Sequence, residues 1–128
     1  MIVGVTGSLA ALGDTLFPAS SLGTAMAQDF SATSVWLVRW RWMHPAAALL
    51  ASIVLIWLLV RGARRQAPLD NRRLSALVLA LLAVVFTLGL LDVALLAPLW
   101  VQIAHLLAAD CLWAALVVLA ARVTMEPM

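Results

Sequence analysis

The chain has 128 residues, of which 66% are hydrophobic, and its mean hydropathy is +1.09. Ordinary soluble domains are roughly 45–50% apolar, so a soluble domain of this size could not bury so much apolar surface. Eight arginines, no lysine and six acidic residues give a net charge of +2. With no soluble fold to present a basic face, this charge does not indicate a nucleic-acid partner. We predict an all-α integral membrane protein, one domain over residues 1–128, whose main surroundings are membrane lipid.

The N-terminal quarter of the sequence is too interrupted to span a bilayer. Residues 1–13 are apolar or small, and Gly7 with Ser8 suggests that a helix ends among them. We interpret this segment as the remnant of a fourth helix whose earlier part is missing; the alternative is a short re-entrant or interfacial segment. Proline, glycine and paired serines predict an outer loop over 14–34, in which 22–30 could form a short interfacial helix.

Three later apolar runs are long enough to be full transmembrane helices. They cover residues 35–60, 74–91 and 99–121. Thr33 or Ser34 is the expected N-cap of the first helix, and three tryptophans near its start are typical of an interfacial belt. Pro45 either begins the deep part of this helix or kinks it.

The charge distribution predicts the orientation of these helices. The segment 61–73 contains five arginines, and an excess of basic residues in a short loop is typical of the cytoplasmic side. The segment from Asp92 to Pro98 is then an outer turn. The single cysteine, Cys111, falls inside the third helix, so no intrachain disulfide is possible.

This orientation places the only two histidines at similar depth in the outer half of the bilayer. His44 lies near the start of an inward helix, and His105 follows the outer turn by about 10 Å, at about 1.5 Å per residue. Neutral imidazole ligates haem iron, and electron-transfer haems take two axial ligands. Small residues beside both histidines would admit a flat macrocycle. Arg39 and Arg41 would lie near its propionates, and Gln102, one turn before His105, could bond a cofactor edge.

Each of these residues also has a simpler interpretation. His44 could be an interfacial polar residue, and His105 could bond a neighbouring helix. The arginines could extend to lipid headgroups, and alanine-rich segments are also typical of closely packed membrane helices. For Gln102 and Asp110 the structural role is favoured, although Asp110 could belong to a proton route. A multi-ligand metal site is less favoured, because few other suitable ligands lie near the histidines.

Three sequence segments together resemble the C-terminal half of bacterial haem A synthase, the family that oxidises haem O. They are VTGSLAALGDTLFPA, RWRWMHP and LGLLDVALLAPLWVQIAHLLAADCLW. The resemblance implies an eight-helix fold of two similar four-helix halves, located in the bacterial cytoplasmic membrane. It implies that His44 and His105 are axial ligands of a haem b. It also implies that a haem O methyl group is oxidised on the other half, to give haem A for cytochrome oxidase.

The chain departs from that family in ways that limit the expected function. The N-terminal half, with its own histidine pair and a glutamate implicated in the oxidation, is absent, so the chain resembles half of an oxidoreductase and is not expected to make haem A alone. An outer-loop cysteine pair found in some members is missing, and Asp92 stands where asparagine is common. The expected partners are the missing half or a second copy, with haem O synthase or cytochrome oxidase subunits as further candidates. The alternatives are a stand-alone b-type cytochrome and a haem-free scaffold subunit.

Overall fold

A computed structural model describes residues 2–63 and 69–125 of the chain. All the regular secondary structure in these two ranges is helical. In chain order the helices are α1 (Ile2–Leu16), α2 (Leu22–Phe30), α3 (Trp36–Arg39), α4 (Met43–Ala63), α5 (Leu69–Ala94) and α6 (Leu99–Met125).

Three helical stretches are long and apolar enough to cross a membrane, and α1 is a shorter apolar helix beside them. The three stretches are Trp36–Gly62, Asp70–Ala94 and Leu99–Met125. Most of their large apolar side chains are exposed, as expected where lipid is the solvent. The prediction of a membrane helical bundle, with three full spans and a shorter N-terminal helix, is confirmed.

The first helix continues through the point where the sequence suggested an end. Gly7 and Ser8 lie in the middle of α1. The Ser8 hydroxyl donates to the carbonyl of Gly4 at 3.1 Å, and the Thr6 hydroxyl donates to that of Ile2 at 3.0 Å. These polar side chains are satisfied inside the helix and do not compete with it. The loop predicted to begin at residue 14 therefore starts after Leu16, while the short helix predicted over 22–30 is confirmed as α2.

The start of the first span also differs from the prediction. A single turn, α3, is followed by a break at residues 40–42 before α4 begins. The N-cap of α3 is Val35, without a side-chain cap bond. The expected cap Thr33 is engaged elsewhere, because its hydroxyl pairs with that of Ser31 at 2.8 Å. Pro45 lies in the first turn of α4, where its missing N–H costs little, so it begins the long helix rather than kinking it.

Both connections between the long helices are shorter than predicted. Helix α4 continues through Arg61 to Ala63, and α5 begins at Leu69, so most of the predicted loop is helical. Arg61 in the last turn of α4 and Asp70 in the first turn of α5 suit the helix dipoles at these ends. Residues 64–68 of the arginine-rich loop lie outside the described ranges. At the other end, Asp92 belongs to α5, and the turn comprises only residues 95–98.

The apolar core lies at the end of the bundle that carries the arginine-rich segment. Its buried members are Val78 of α5 and Ala115 and Leu119 of α6, and α4 joins the cluster through leucines that pack against them. The leucines packed against it are Leu55, Leu59, Leu74, Leu81, Leu112 and Leu116. Because this cluster begins 11 residues after His44 on α4, it lies roughly 16 Å further along the helix. The histidines thus lie away from this cluster, although Leu37 and Val38 of α3 and Val101 of α6 are also buried at their end of the bundle.

Candidate functional site

The structure brings the two histidines together. The ring centroids of His44 and His105 are 6.3 Å apart, with ring planes at 89°. His44 is the second residue of α4, and His105 lies near the start of α6. Their helices make little direct backbone contact within the described residues, so the two side chains meet across a gap between α4 and α6.

Helix α1 fixes the His44 ring. Its Nδ1 is 3.2 Å from the Val3 carbonyl oxygen and 3.5 Å from the Thr6 hydroxyl. A carbonyl oxygen only accepts, so the bond to Val3 requires the hydrogen on Nδ1. The Nε2 atom of this tautomer has a free lone pair. This is the arrangement of a metal-ligating histidine, whose second nitrogen donates to a backbone carbonyl.

Helix α5 supports His105 in a similar position, but without a hydrogen bond. The Nδ1 atom of His105 is buried and has no partner among the described residues. The Oδ1 atom of Asp92, on α5, is likewise buried without a partner there. One side of the histidine pair is therefore fixed by a hydrogen bond, while the other presents an unpaired nitrogen near an unpaired carboxyl oxygen.

Two glycines allow these rings to approach the neighbouring helices. A β-carbon at Gly7 would lie 3.0 Å from Cε1 of His44. A β-carbon at Gly89 would lie 3.2 Å from Cε1 of His105. Both distances are shorter than the about 3.5–4.0 Å of ordinary carbon contacts. Each histidine ring thus packs against a glycine, at a point where the neighbouring helix has no side chain.

The histidine pair fits an iron held between two imidazoles. Two rings that ligate one metal from opposite sides have centres about 6 Å apart, because each metal–nitrogen bond is about 2 Å and each ring adds its radius. The observed 6.3 Å agrees with that spacing. No group of three or more histidine, cysteine or acidic residues that could hold a metal occurs within residues 2–63 and 69–125. The donor set therefore suits a cofactor that supplies the other iron ligands itself, as haem does.

Arg41, predicted near a cofactor carboxylate, is engaged by the protein's own carboxylates. The side chain is 8% exposed and forms ion pairs of 2.8 Å with Asp14 and Asp29. It also bonds the Gln28 side chain and the Ala25 carbonyl at 3.4 Å. Burial raises the pKa of the Asp14 carboxyl, while the hydrogen bond and charge of Arg41 act in the opposite direction. Arg41 ties α1 and α2 to the start of the first span.

Arg39 remains the arginine that is open to a ligand. It is exposed, and it makes no ion pair with any residue in the described part of the chain. It lines an open recess of about 460 Å³. The other lining residues are Asp29, Phe30, Trp36, Trp40, Trp42 and Met43. The tryptophans of the predicted belt therefore surround a cationic group at the histidine end of the bundle.

The two remaining polar residues of α6 are separated from the histidine pair. The Gln102 amide donates to the Ala97 carbonyl at 2.7 Å, which closes the turn between α5 and α6 and supports its structural interpretation. That turn is strained, because Leu96 and Ala97 have φ of 61° and 58°. Asp110 is exposed on α6 and makes no hydrogen bond within the described residues. It faces away from His105, as their spacing of five residues predicts.

Sequence reasoning missed the supporting residues of the site. The sequence suggests a helix end at Gly7, gives no signal for Gly89, and places Asp14 and Asp29 only in a loop. Gly7 and Asp14 are seven residues apart, so in a helix they lie on the same face, two turns apart. This spacing was the signal in the sequence that α1 presents both residues to the same neighbours. Their partners lie on other helices, so no local pattern identifies them.

Comparison with known proteins places the chain in a family. The family model described as cytochrome oxidase assembly protein matches residues 4–117. Two curated proteins from two strains of Thermus thermophilus, each named protoheme IX farnesyltransferase, are each 36% identical over 121 residues. The match covers 94% of this chain and 20% of each relative, so the chain spans about a fifth of their length.

No solved structure gave a significant match. The family match covers both histidines, the glycines beneath them and the turn between α5 and α6. The chain therefore belongs to the cytochrome oxidase assembly protein family, which is the family of the haem A synthases.

Proposed function

We propose that the chain is the haem-b-binding C-terminal half of a haem A synthase, with His44 and His105 as the axial ligands of the iron. The observation that carries this proposal is the meeting of the chain's only two histidines, 6.3 Å apart on different helices. The Nδ1 bond from His44 to Val3 supports it, because that bond leaves Nε2 free for iron. Family membership implies a haem cofactor, and the choice of haem b belongs to this proposal.

The residues of this chain would hold, orient and insulate the cofactor. The histidines would fix its position, and Gly7 and Gly89 would let their rings lie close to α1 and α5. Arg39 would receive a propionate at the outer edge, since Arg41 is already paired with two carboxylates. Haem bound here would supply one-electron transfer, with a potential set by its axial ligands and its burial.

The activity of the complete enzyme requires more than this chain. Haem A synthase oxidises a methyl group of haem O, and we place that step on the N-terminal half, with this half passing electrons. The chain then belongs in a bacterial cytoplasmic membrane, with segment 61–73 in the cytoplasm and both histidines towards the outer side. Cytochrome oxidase subunits are further candidate partners.

The names of the curated relatives support a second partner. Both are called protoheme IX farnesyltransferase and are about five times longer than the matched segment. An enzyme that farnesylates protohaem produces a haem of the kind that haem A synthase consumes. We therefore propose that this chain works next to a haem O synthase in the membrane.

A stand-alone b-type cytochrome remains the second candidate. The observation that favours it is that both histidines of the pair lie in this one chain. Such a cytochrome would dimerise to cover the apolar surfaces of its helices and would be reduced and reoxidised without the other half. A haem-free scaffold, by contrast, would behave the same with or without the histidines.

The test is the absorption spectrum of the detergent-purified chain, oxidised and dithionite-reduced, after expression with haem supplied. We expect a low-spin b-type spectrum that disappears in His44→Ala and in His105→Ala. Ser52→Ala is the matched control, because Ser52 is a buried polar residue of α4 that bonds the Ala48 carbonyl. The proposal would be overturned if the chain held no haem either alone or co-expressed with an N-terminal half.

The same preparation separates the two candidate functions. Haem A formed only on co-expression with the N-terminal half identifies half of an enzyme. A reducible dimer that gives no haem A in that co-expression identifies a cytochrome.

A further inference from the structure

The two histidines differ in the support given to their second ring nitrogen. His44 Nδ1 has the Val3 carbonyl at 3.2 Å. His105 Nδ1 is buried and has no partner within the described residues. A buried donor without an acceptor is destabilising, so a nitrogen left in this state calls for an acceptor nearby.

One unpaired acceptor lies on the helix against which this ring packs, beyond direct hydrogen-bond distance. Oδ1 of Asp92 is the other buried side-chain atom without a partner in the described part of the chain. The His105 ring rests on α5 at Gly89, since a β-carbon there would be 3.6 Å from Nδ1. Asp92 is three residues further along α5, on the same helix face. The carboxyl of Asp92 is also within electrostatic range of His105.

We propose that Asp92 is a positioning residue that accepts a hydrogen bond from Nδ1–H of His105 and so presents Nε2 of that ring to the haem iron. The proposal rests on the proposed function, because it assigns a role relative to the iron. A bridging water would serve as well as direct contact, since water-mediated bonds are nearly as favourable. The two ligands would then be held in equivalent ways, His44 by a carbonyl of α1 and His105 by a carboxyl of α5.

This role depends on the acceptor oxygen of Asp92 rather than on its charge. An asparagine at this position keeps a carbonyl-type acceptor of the same size, whereas a leucine keeps the volume and removes the acceptor. The hydrogen bond fixes the tautomer and raises the basicity of the ligating nitrogen, and loss of such a bond typically weakens metal binding 10–100-fold. Asp92→Asn and Asp92→Leu therefore separate an acceptor from a residue that merely fills space.

The experiment measures haem affinity by titration, and the midpoint potential of the bound haem, in the full chain. We expect Asp92→Leu to weaken haem binding about tenfold and to shift the potential upward, because a less basic ligand stabilises ferric iron less. Asp92→Asn should stay close to the wild type in both measurements. Thr87→Val is the control on α5, since Thr87 is exposed and bonds only the Ala83 carbonyl. Equal affinity and potential in Asp92→Leu and the wild type would overturn the proposal.

A second measurement leaves Asp92 intact and changes the ligand. In His105→Gly, free imidazole or 1-methylimidazole can replace the missing ring, but only imidazole keeps an N–H that Asp92 can accept. We expect imidazole to restore the low-spin spectrum at about tenfold lower concentration, and this preference to vanish when Asp92→Leu is added. Equal restoration by both ligands would overturn the proposal. A wild-type chain without haem would instead contradict the proposed function.

Discussion

At the scale of single residues, the site depends on two glycines, which have no side chain and so leave room for the histidine rings. Gly7 and Gly89 lie on different helices, and each provides the surface on which one histidine ring rests. The polar atoms of the two rings are treated differently, because only His44 has a hydrogen-bond partner at Nδ1. The geometry of the pair is therefore set as much by these supporting positions as by the histidines.

Adding one methyl group to either glycine should disturb the histidine pair. In Gly7→Ala the new β-carbon would be 3.0 Å from His44, and in Gly89→Ala it would be 3.2 Å from His105. Overpacking of this kind costs typically about 1–3 kcal/mol, so we expect a several-fold lower haem content per protein, measured by pyridine haemochrome assay. Gly4→Ala is the matched control on α1, because a β-carbon there meets nothing within 4 Å. A haem content in both site variants equal to that of Gly4→Ala would contradict this account.

At the scale of the helices, two features stand out. Arg41 joins the outer helix α2 to α1 through a pair of carboxylates. On α6, Asp110 is exposed at the middle of a helix that is long enough to span the membrane. The first feature organises the histidine end of the bundle, and the second exposes a carboxyl group where lipid would otherwise be expected.

Loss of the Arg41 pairing should loosen α2. In Arg41→Met two partly buried carboxylates lose their partner, and a buried polar group left unpaired costs about 1–3 kcal/mol. We expect a lower thermal unfolding midpoint in detergent and faster proteolysis between α1 and α3. Arg73→Met is the control, because Arg73 is exposed and forms no ion pair with the residues described. Unchanged proteolysis of Arg41→Met would show that α2 is held by other contacts.

Asp110 should oppose membrane insertion of the isolated chain. Aspartate near the centre of a transmembrane helix costs about 2.5–3.5 kcal/mol in insertion measurements, so Asp110→Leu should raise the inserted fraction of α6 in a translocon assay. Asp70→Leu should change insertion of α5 much less, because Asp70 lies in the first turn of that helix. If Asp110→Leu and the wild type insert equally, the carboxyl does not face lipid in the membrane.

At the scale of the whole molecule, the apolar core cluster and the histidine pair lie in different parts of the helical bundle. The apolar core clamps α4, α5 and α6 at the arginine-rich end, and the histidine pair, the Arg41 cluster and the tryptophans lie at the other. Leucine side chains of α4 reach the core cluster, and the His44 ring reaches α6, so α4 meets α6 through side chains rather than through close backbone contact.

The orientation of this arrangement can be tested by cysteine labelling. Replacing Cys111 with alanine leaves a chain without cysteine, into which Ser20→Cys or Gln66→Cys is introduced. An impermeant maleimide added to intact spheroplasts should label Ser20→Cys, an exposed position before α2, and should label Gln66→Cys only after lysis. The opposite labelling pattern would place the histidines towards the cytoplasm and refute the positive-inside prediction.

The sequence by itself determined the membrane class and the three spans. These properties depend on local composition and on the positions of charges along the chain, because lipid and the membrane potential act directly on both. The apolar runs fixed the helices but not their ends, because the last turns extended through arginines and aspartates that suit helix dipoles. Thr33 does not cap the helix, because its hydroxyl is hydrogen-bonded to the hydroxyl of Ser31.

Only the tertiary structure decided what surrounds each functional side chain. Arg41 is paired with Asp14 and Asp29, which are 27 and 12 residues away, and His44 bonds a carbonyl 41 residues away. The glycines beneath the rings also act across helices. Such contacts depend on how helices cross, and the hydrophobicity that places a helix in lipid does not specify which of its faces meets another helix. For that reason the two histidines could be proposed as ligands from the sequence, while the residues that orient their rings could not be identified there.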